Sequence, residues 1–412
     1  MGLIKKIQDM KYEMTRWRQK LHAEPELAFE ERGTSRFITR QLQSCGIEVH
    51  ALAKTGVIGV LHGKDGATVG GKAIMLRADM DALPIKEESG AVHASHTAGV
   101  HHASGHDGHV AMLLGAAKYL AQSKNFNGTV YFAFQPAEEK SGAQEMIKDG
   151  IFQKFPCDEI YGLHSYPELP LGAMVTGPGS LLASAEEFHI VLKGAASHPS
   201  QPDTETGVMS AMTEVMAAIR ALAETEIQLG AAALLAISSV HTEGQIGNAL
   251  PGRVDVCGTI RTQDSSLHEK LRQGLENLVP EIAAKHNVDQ TTEFSNACPV
   301  LVNSQAETNL ASDIAKDIVG DNKVGSVVPR ALDADDFACY LQGKPGNLML
   351  MGTGRADGKP SPALYSSKYD FNDAALPIGA SYWVKLVEKS LPLATAPSPK
   401  APNTAPPQSP EL

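Results

Sequence analysis

Residues 108–136, GHVAMLLGAAKYLAQSKNFNGTVYFAFQP, decide the fold. The first fifteen are small and apolar on every side of a helical turn, which predicts a buried helix. The last nine, Gly128–Pro136, are rich in β-branched and aromatic residues and end at proline, which predicts a strand. Outward from this pair, VIGVLHG (57–63) and KAIMLRADM (72–80) read as strands, residues 33–45 as a helix and EIYGLH (159–164) as a further strand. Short apolar strands alternating with helices imply an α/β domain whose sheet is covered on both faces. Ligands of such sheets gather at the strand ends, where Glu138, Glu139 and His164 are expected.

From about Ala185 the pattern changes. EFHIVLKG (187–194), a helix over 207–224, LLAISSVHT (234–242), VDVCGTIRT (254–262), a helix over 267–286 and QTTEFSN (290–296) give the order βαββαβ. That order is a compact second domain inserted in the first. The expected organisation is a catalytic domain over 1–184 and 297–391, closed by a helix containing Trp383, and an inserted domain over 185–296. Residues 392–412 hold seven prolines and read as a disordered tail. The N-terminus, with Ile4, Ile7, Met14 and Trp17, suggests one amphipathic helix rather than a signal peptide or membrane span. A net charge of -11 argues against a nucleic-acid partner. The five cysteines (Cys45, Cys157, Cys257, Cys298, Cys339) are odd in number and show no CxxC spacing. They indicate neither a disulfide framework nor a zinc ribbon, and a reducing, cytoplasmic compartment fits best.

The chemistry concentrates upstream of the buried helix. His93–His109 places six histidines and Asp107 in seventeen residues, a density that suggests a metal site, although a solvated histidine loop reads the same way. The adjacent pair Glu138 and Glu139 can divide two jobs of a hydrolytic centre, metal ligand and proton acceptor. Neighbours on a strand point to opposite faces, so this requires the chain to turn after Gln135-Pro136. The alternative is a solvated Glu-Glu-Lys cluster.

LHAEPELAFEE (21–31), MLRADMDALP (75–84), SGHDGHVAMLLGAAKYL (104–120), FQPAEEKSGAQEMIKDGIF (134–152), GLHSYP (162–167), GTIRT (258–262), DDFACYL (335–341) and LYSSKYDFND (364–373) occur in that order. Together they resemble the amidohydrolase branch of the aminoacylase and carboxypeptidase metallopeptidases, the branch of hippurate hydrolases and plant auxin-conjugate hydrolases. The resemblance implies a zinc-peptidase-like catalytic domain, a mixed sheet flanked by helices, with a ferredoxin-like lid through which subunits form a homodimer or higher homo-oligomer. It implies His106, Glu139 and His164 as metal ligands and Glu138 as general base. It points to His198 as a lid group reaching a neighbouring active site, or else a surface loop histidine. It points to Asn248 and Arg261 as substrate contacts, with a strand-edge ion pair as the other reading of Arg261. Asp107 is expected to orient a ligand histidine, and Asp81 and His22 to play supporting or structural parts. His101, His102 and His109 read as supporting or merely local.

Two positions depart from the branch. Ser104 stands where it has a cysteine whose thiolate bridges two metal ions, and Tyr365 stands where it has a ligand histidine. A serine hydroxyl supplies no charge to hold two cations together. The expectation is therefore one divalent ion per subunit, with Mn2+ favoured over Zn2+ and Tyr365 as a possible, dissociable fourth ligand; a spacer tyrosine is the alternative. This pair most resembles the aminohydrolases that convert 5-nitroanthranilic acid, a small aromatic carboxylate, to 5-nitrosalicylic acid and ammonia. The alternatives are hydrolysis of an N-acyl amino acid or peptide, with His198 stabilising the oxyanion, and an inactive homologue that binds a small carboxylate.

Overall fold

A computed structural model describes residues 2–64, 71–194, 207–243, 251–326, 332–355, 357 and 360–393. The predicted helix and strand of the opening stretch are His106–Ser123 and Thr129–Gln135. That strand lies inside an eight-stranded mixed sheet. Its spatial order is Glu48–Leu52, Gly56–His62, Thr129–Gln135, Ala73–Asp79, Glu159–Tyr166, Gly346–Gly352, Met174–Val175, Val324–Gly325. The four strands from Thr129–Gln135 to Gly346–Gly352 run parallel and form its centre.

Both faces are covered, and the period of two along each strand decides which side chain goes where. Ile74, Leu76, Phe132 and Phe134 enter a core with Trp17, Val110, Leu113 and Trp383, from helices Lys11–Ala23, His106–Ser123 and Leu376–Ser390. Met75 and Ala133, one residue out of phase, enter a second core with Met146, Phe337 and Tyr340. Helix His106–Ser123 is buried almost all round, which explains its lack of an amphipathic stripe.

The inserted segment forms a four-stranded antiparallel sheet in the order Asp289–Cys298, Ser184–Lys193, Arg253–Thr262, Ala233–Thr242. Counted along the chain this is 4-1-3-2, the ferredoxin-like arrangement. Arg253–Thr262 alternates strictly between buried and half-buried positions. Its Val254, Val256 and Ile260 pack with Val208, Val215, Leu271 and Leu275 of helices Gly207–Glu226 and Ser265–Lys285. The elements of this unit run from Ser184 to Cys298.

Two local expectations need correction. The N-terminal segment is two helices, Lys5–Asp9 and Lys11–Ala23, separated at Met10, although Ile7, Met14 and Trp17 still enter one core with Ile4 packed against it. His164 lies within the strand Glu159–Tyr166 rather than after it. All five cysteines are free. Among the described residues no helix is long and apolar enough to cross a membrane.

Candidate metal centre

The turn that two roles for Glu138 and Glu139 demand is present. Ala137 (φ 52) and Ser141 (φ 57) adopt left-handed backbone on either side of a single 3-10 turn, Glu138–Lys140. Gly142 closes it, since a Cβ there would lie 1.8 Å from the carbonyl oxygen of Pro136. Asp81 fixes the turn from below, its carboxylate accepting the N–H groups of Glu138 (3.0 Å) and Glu139 (3.2 Å).

His106 opens its helix and is 1% exposed. Its Nδ1 donates to the Asp81 carbonyl at 2.9 Å, which leaves Nε2 buried and without a hydrogen-bond partner among the described residues. Such an orphan is costly unless something accepts it. Candidate ligand atoms mutually within 4.8 Å surround it in two overlapping groups. One joins His106 to Glu138 and Glu139, the other joins it to Asp79, His109 and His164. Glu139 and His164 are thus each beside His106 but fall in different groups.

Electrostatics point the same way. Burial opposes a charged His106, yet the carboxylates of Asp79, Asp81 and Glu139 push its pKa up to about 10. Burial raises Glu139 to about 7, against the pull of His106. Burial, with Glu139, Asp335 and Asp336 beside it, holds Glu138 well above the usual carboxylate range. Burial, helped by His109, lowers His164 to about 4. This cluster of carboxylates recruits positive charge, and the orphaned Nε2 of His106 faces the same demand. The donor set therefore fits a divalent cation.

Ser104 donates to Glu139 Oε1 at 3.1 Å. Half of Tyr365's surface is exposed, but its hydroxyl end sits among carboxylates: burial and the charges of Glu139, Glu138 and Asp333 raise its pKa far above that of a free phenol. Its backbone is left-handed (φ 64) and is held there by N–H donation to the Ala103 carbonyl at 2.9 Å. A tyrosine in that conformation is strained, as side chains at functional sites often are. With Glu138, His164, Tyr166 and Asp333 it lines a small cleft.

Other expectations land elsewhere. The Arg261 guanidinium donates to the Leu332 carbonyl at 3.0 Å and forms no ion pair among the described residues. His198 and Asn248 lie outside the described residues. Asp107 does not orient His106: it bonds His22 Nδ1 at 2.8 Å and lies 3.6 Å from Arg18. Asp79 also stands among the candidate ligand histidines: it accepts from His109 Nδ1 at 2.5 Å and lies 3.9 Å from His106 Nε2, while His109 Nε2 accepts the Ser165 N–H at 2.9 Å. Sequence reasoning missed Asp79 and the buried Arg77 that holds it at 2.6 Å. Arg77 also donates to Gln135 Oε1 (2.8 Å) and Asp336 (2.9 Å), and the Asp336 N–H donates to Glu138 Oε1 (3.3 Å). The available signal was an arginine inside a strand read as buried on both faces, since a buried arginine needs carboxylate partners.

A parallel-centred sheet carrying imidazoles and carboxylates at its strand ends, with a paired acid beside them, defines a metal-dependent hydrolase. The chain belongs to Peptidase family M20/M25/M40, which it matches over residues 75–389. It is 32% identical to the hippurate hydrolase of Campylobacter jejuni over 393 residues, 95% of this chain and 100% of that one. It is equally 32% identical to IAA-amino acid hydrolase ILR1-like 2 of Arabidopsis thaliana over 375 residues, 89% and 83% of the two chains. The YXEP protein of Bacillus subtilis, described as a dinuclear metal binding peptidase of the same family, superposes with a TM-score of 0.76 at 28% identity, covering 93% of this chain and 99% of that one. The enzyme is thus a metal-dependent hydrolase of the amidohydrolase branch.

Proposed function

We propose that this enzyme hydrolyses the aryl C–N bond of 5-nitroanthranilate, giving 5-nitrosalicylate and ammonia. The observation that carries the reading is the placement of the two residues that depart from the branch: Ser104 donates to Glu139 Oε1, and the Tyr365 hydroxyl lies in the field of Glu139 and Glu138. The names of the relatives instead favour an N-acyl amino acid such as hippurate, and that is the second reading. The two share every residue of the centre and differ in whether a ring carbon or an acyl carbon is attacked.

His106, Glu139 and His164 would hold one divalent ion, with Tyr365 as a fourth, dissociable donor. Nitrogen and oxygen donors without thiolate suit Mn2+ as well as Zn2+. When bound, the ion would make water acidic enough to be deprotonated near neutral pH. Glu138 is the proton acceptor, its raised pKa suiting it to take a proton and pass it to the departing nitrogen. The Asp336 N–H orients its Oε1. A nitro group para to the amine withdraws the charge that builds on the ring. Arg261 and Asn248 are proposed to meet the substrate carboxylate, and His198 to act from the lid of a partner in a homodimer. Turnover in 18O-water tests the reading. Label in the ring hydroxyl of nitrosalicylate supports deamination, whereas an enzyme that leaves nitroanthranilate intact and labels benzoate from hippurate is an amide hydrolase.

A further inference from the structure

The strands Ala73–Asp79 and Glu159–Tyr166 pair from Ile74 opposite Glu159 to Arg77 opposite Gly162, and their pairing stops there. Beyond that point they part, and each delivers a residue to the centre: Asp79 from one, His164 from the other. His109, in the first turn of helix His106–Ser123 and 1% exposed, bridges the fork. Its Nδ1 lies 2.5 Å from Asp79 Oδ1 and its Nε2 2.9 Å from the Ser165 nitrogen. A backbone N–H only donates, so Nε2 is the acceptor and Nδ1 carries the hydrogen that goes to Asp79. Ser165 is fully buried, and a buried N–H left without an acceptor is costly.

Both ends of this bridge lead to a candidate ligand. The Ser165 carbonyl accepts from His164 Nδ1 at 2.8 Å, which leaves Nε2 as the His164 nitrogen available to a cation. At the other end Arg77 holds Asp79 at 2.6 Å, and Asp79 Oδ2 stands 3.9 Å from His106 Nε2. The His109 ring also packs against both imidazoles, with centroids 4.6 Å from His164 and 5.6 Å from His106. Proximity alone groups His109 with Asp79, His106 and His164 as a possible ligand. Both of its nitrogens are committed to hydrogen bonds, however, so it has no lone pair to give an ion.

We propose that His109 is a positioning residue for the metal centre: by tying Asp79 to the Ser165 backbone it fixes how the His106 and His164 imidazoles face each other. The inference rests on His106 and His164 being ligands, as proposed above, and not on which C–N bond is cleaved. Groups that orient metal-binding imidazoles from behind are worth about 10–100-fold in affinity.

Co2+ binding tests it, measured by competition with a chelator together with the ligand-field spectrum of the bound ion. His109→Phe keeps a planar ring in the same space and loses both hydrogen bonds. It is expected to weaken binding by about 10–100-fold and to shift the spectrum, because the donors keep their identity and lose their geometry. His109→Gln supplies an amide oxygen to accept the Ser165 N–H and is expected to recover most of the affinity and the original spectrum. Unchanged affinity and spectrum in His109→Phe, or His109→Gln no better than His109→Phe, overturns the proposal. A measurement on the unaltered protein guards against misfolding of the variants. Loaded with 113Cd and labelled with 15N-histidine, it should show metal coupling at His106 and His164 and none at His109; coupling at His109 would make it a ligand and overturn the proposal. His106→Ala separates the two layers. If it leaves Co2+ binding unchanged, the ligand set is wrong and this role falls with it. If it abolishes binding while His109→Phe changes nothing, the role of His109 alone falls.

Discussion

Arg77→Met removes the buried cation that joins the two halves of the centre. The side chain is 1% exposed and donates to Gln135, Asp79 and Asp336 at 2.6–2.9 Å, with Asp335 at 3.1 Å. Methionine fills much of the same volume, so the cost is mainly electrostatic. Three carboxylates, Asp79, Asp335 and Asp336, would be left buried without their counter-ion, and breaking a buried network in this way costs about 3–5 kcal/mol. Against a total stability of about 5–15 kcal/mol this is a large fraction. Urea unfolding followed by circular dichroism should show the first transition moved down by on the order of 1 M or more. Adding Asp336→Asn should restore part of the loss, because one of the stranded charges is gone. A change below about 1 kcal/mol, or strictly additive losses, would refute the claim that Arg77 holds these carboxylates together.

Glu138→Gln should lower turnover by about 10²–10⁴-fold with metal content unchanged, whereas His106→Ala should lose metal; inductively coupled plasma mass spectrometry beside rate measurements checks both. Gly142→Ala drives a Cβ to within 1.8 Å of the Pro136 carbonyl oxygen, so it should displace the Glu138–Lys140 turn and reduce metal binding and rate together. In the metal-free protein His106 is held up to about 10, so metal loading at neutral pH should release a proton, read by pH-stat, and affinity should rise with pH. Burial opposes the charged forms of both His22 and Asp107, but their contact wins, raising His22 and lowering Asp107. The Asp107 contribution to stability is present above ~3.9 and lost as pH falls through its depressed folded value. The His22 contribution is full below ~6.5 and lost as pH rises through its raised folded value. Asp107→Asn should flatten both limbs of a urea-midpoint profile.

The fold was largely legible because its elements declare themselves by period. Gly128–Pro136 reads as a strand on composition, helix His106–Ser123 as buried because it lacks a polar face, and the inserted unit as βαββαβ because its strands alternate. The ligand candidates were legible by residue type and motif order. What sequence hid is pairing across the sheet. Nothing in the spacing says that Asp79 rather than Asp107 stands beside the histidines, because the contact joins the end of one strand to a helix thirty residues on. Arg77 was hidden for the same reason: its partners Asp335 and Asp336 lie about 260 positions away and meet it only once the parallel strands are stacked. The break at Met10 was missed because a helix-to-helix junction changes no hydrophobic period.

The central claim is tested most directly by assaying ammonia from 5-nitroanthranilate and glycine from hippurate on one manganese-loaded preparation, with Glu138→Gln alongside. The account predicts ammonia from the nitroanthranilate, lost in Glu138→Gln. Glycine from hippurate with no ammonia from the nitroanthranilate would contradict it and place this enzyme with the N-acyl-amino-acid hydrolases it resembles.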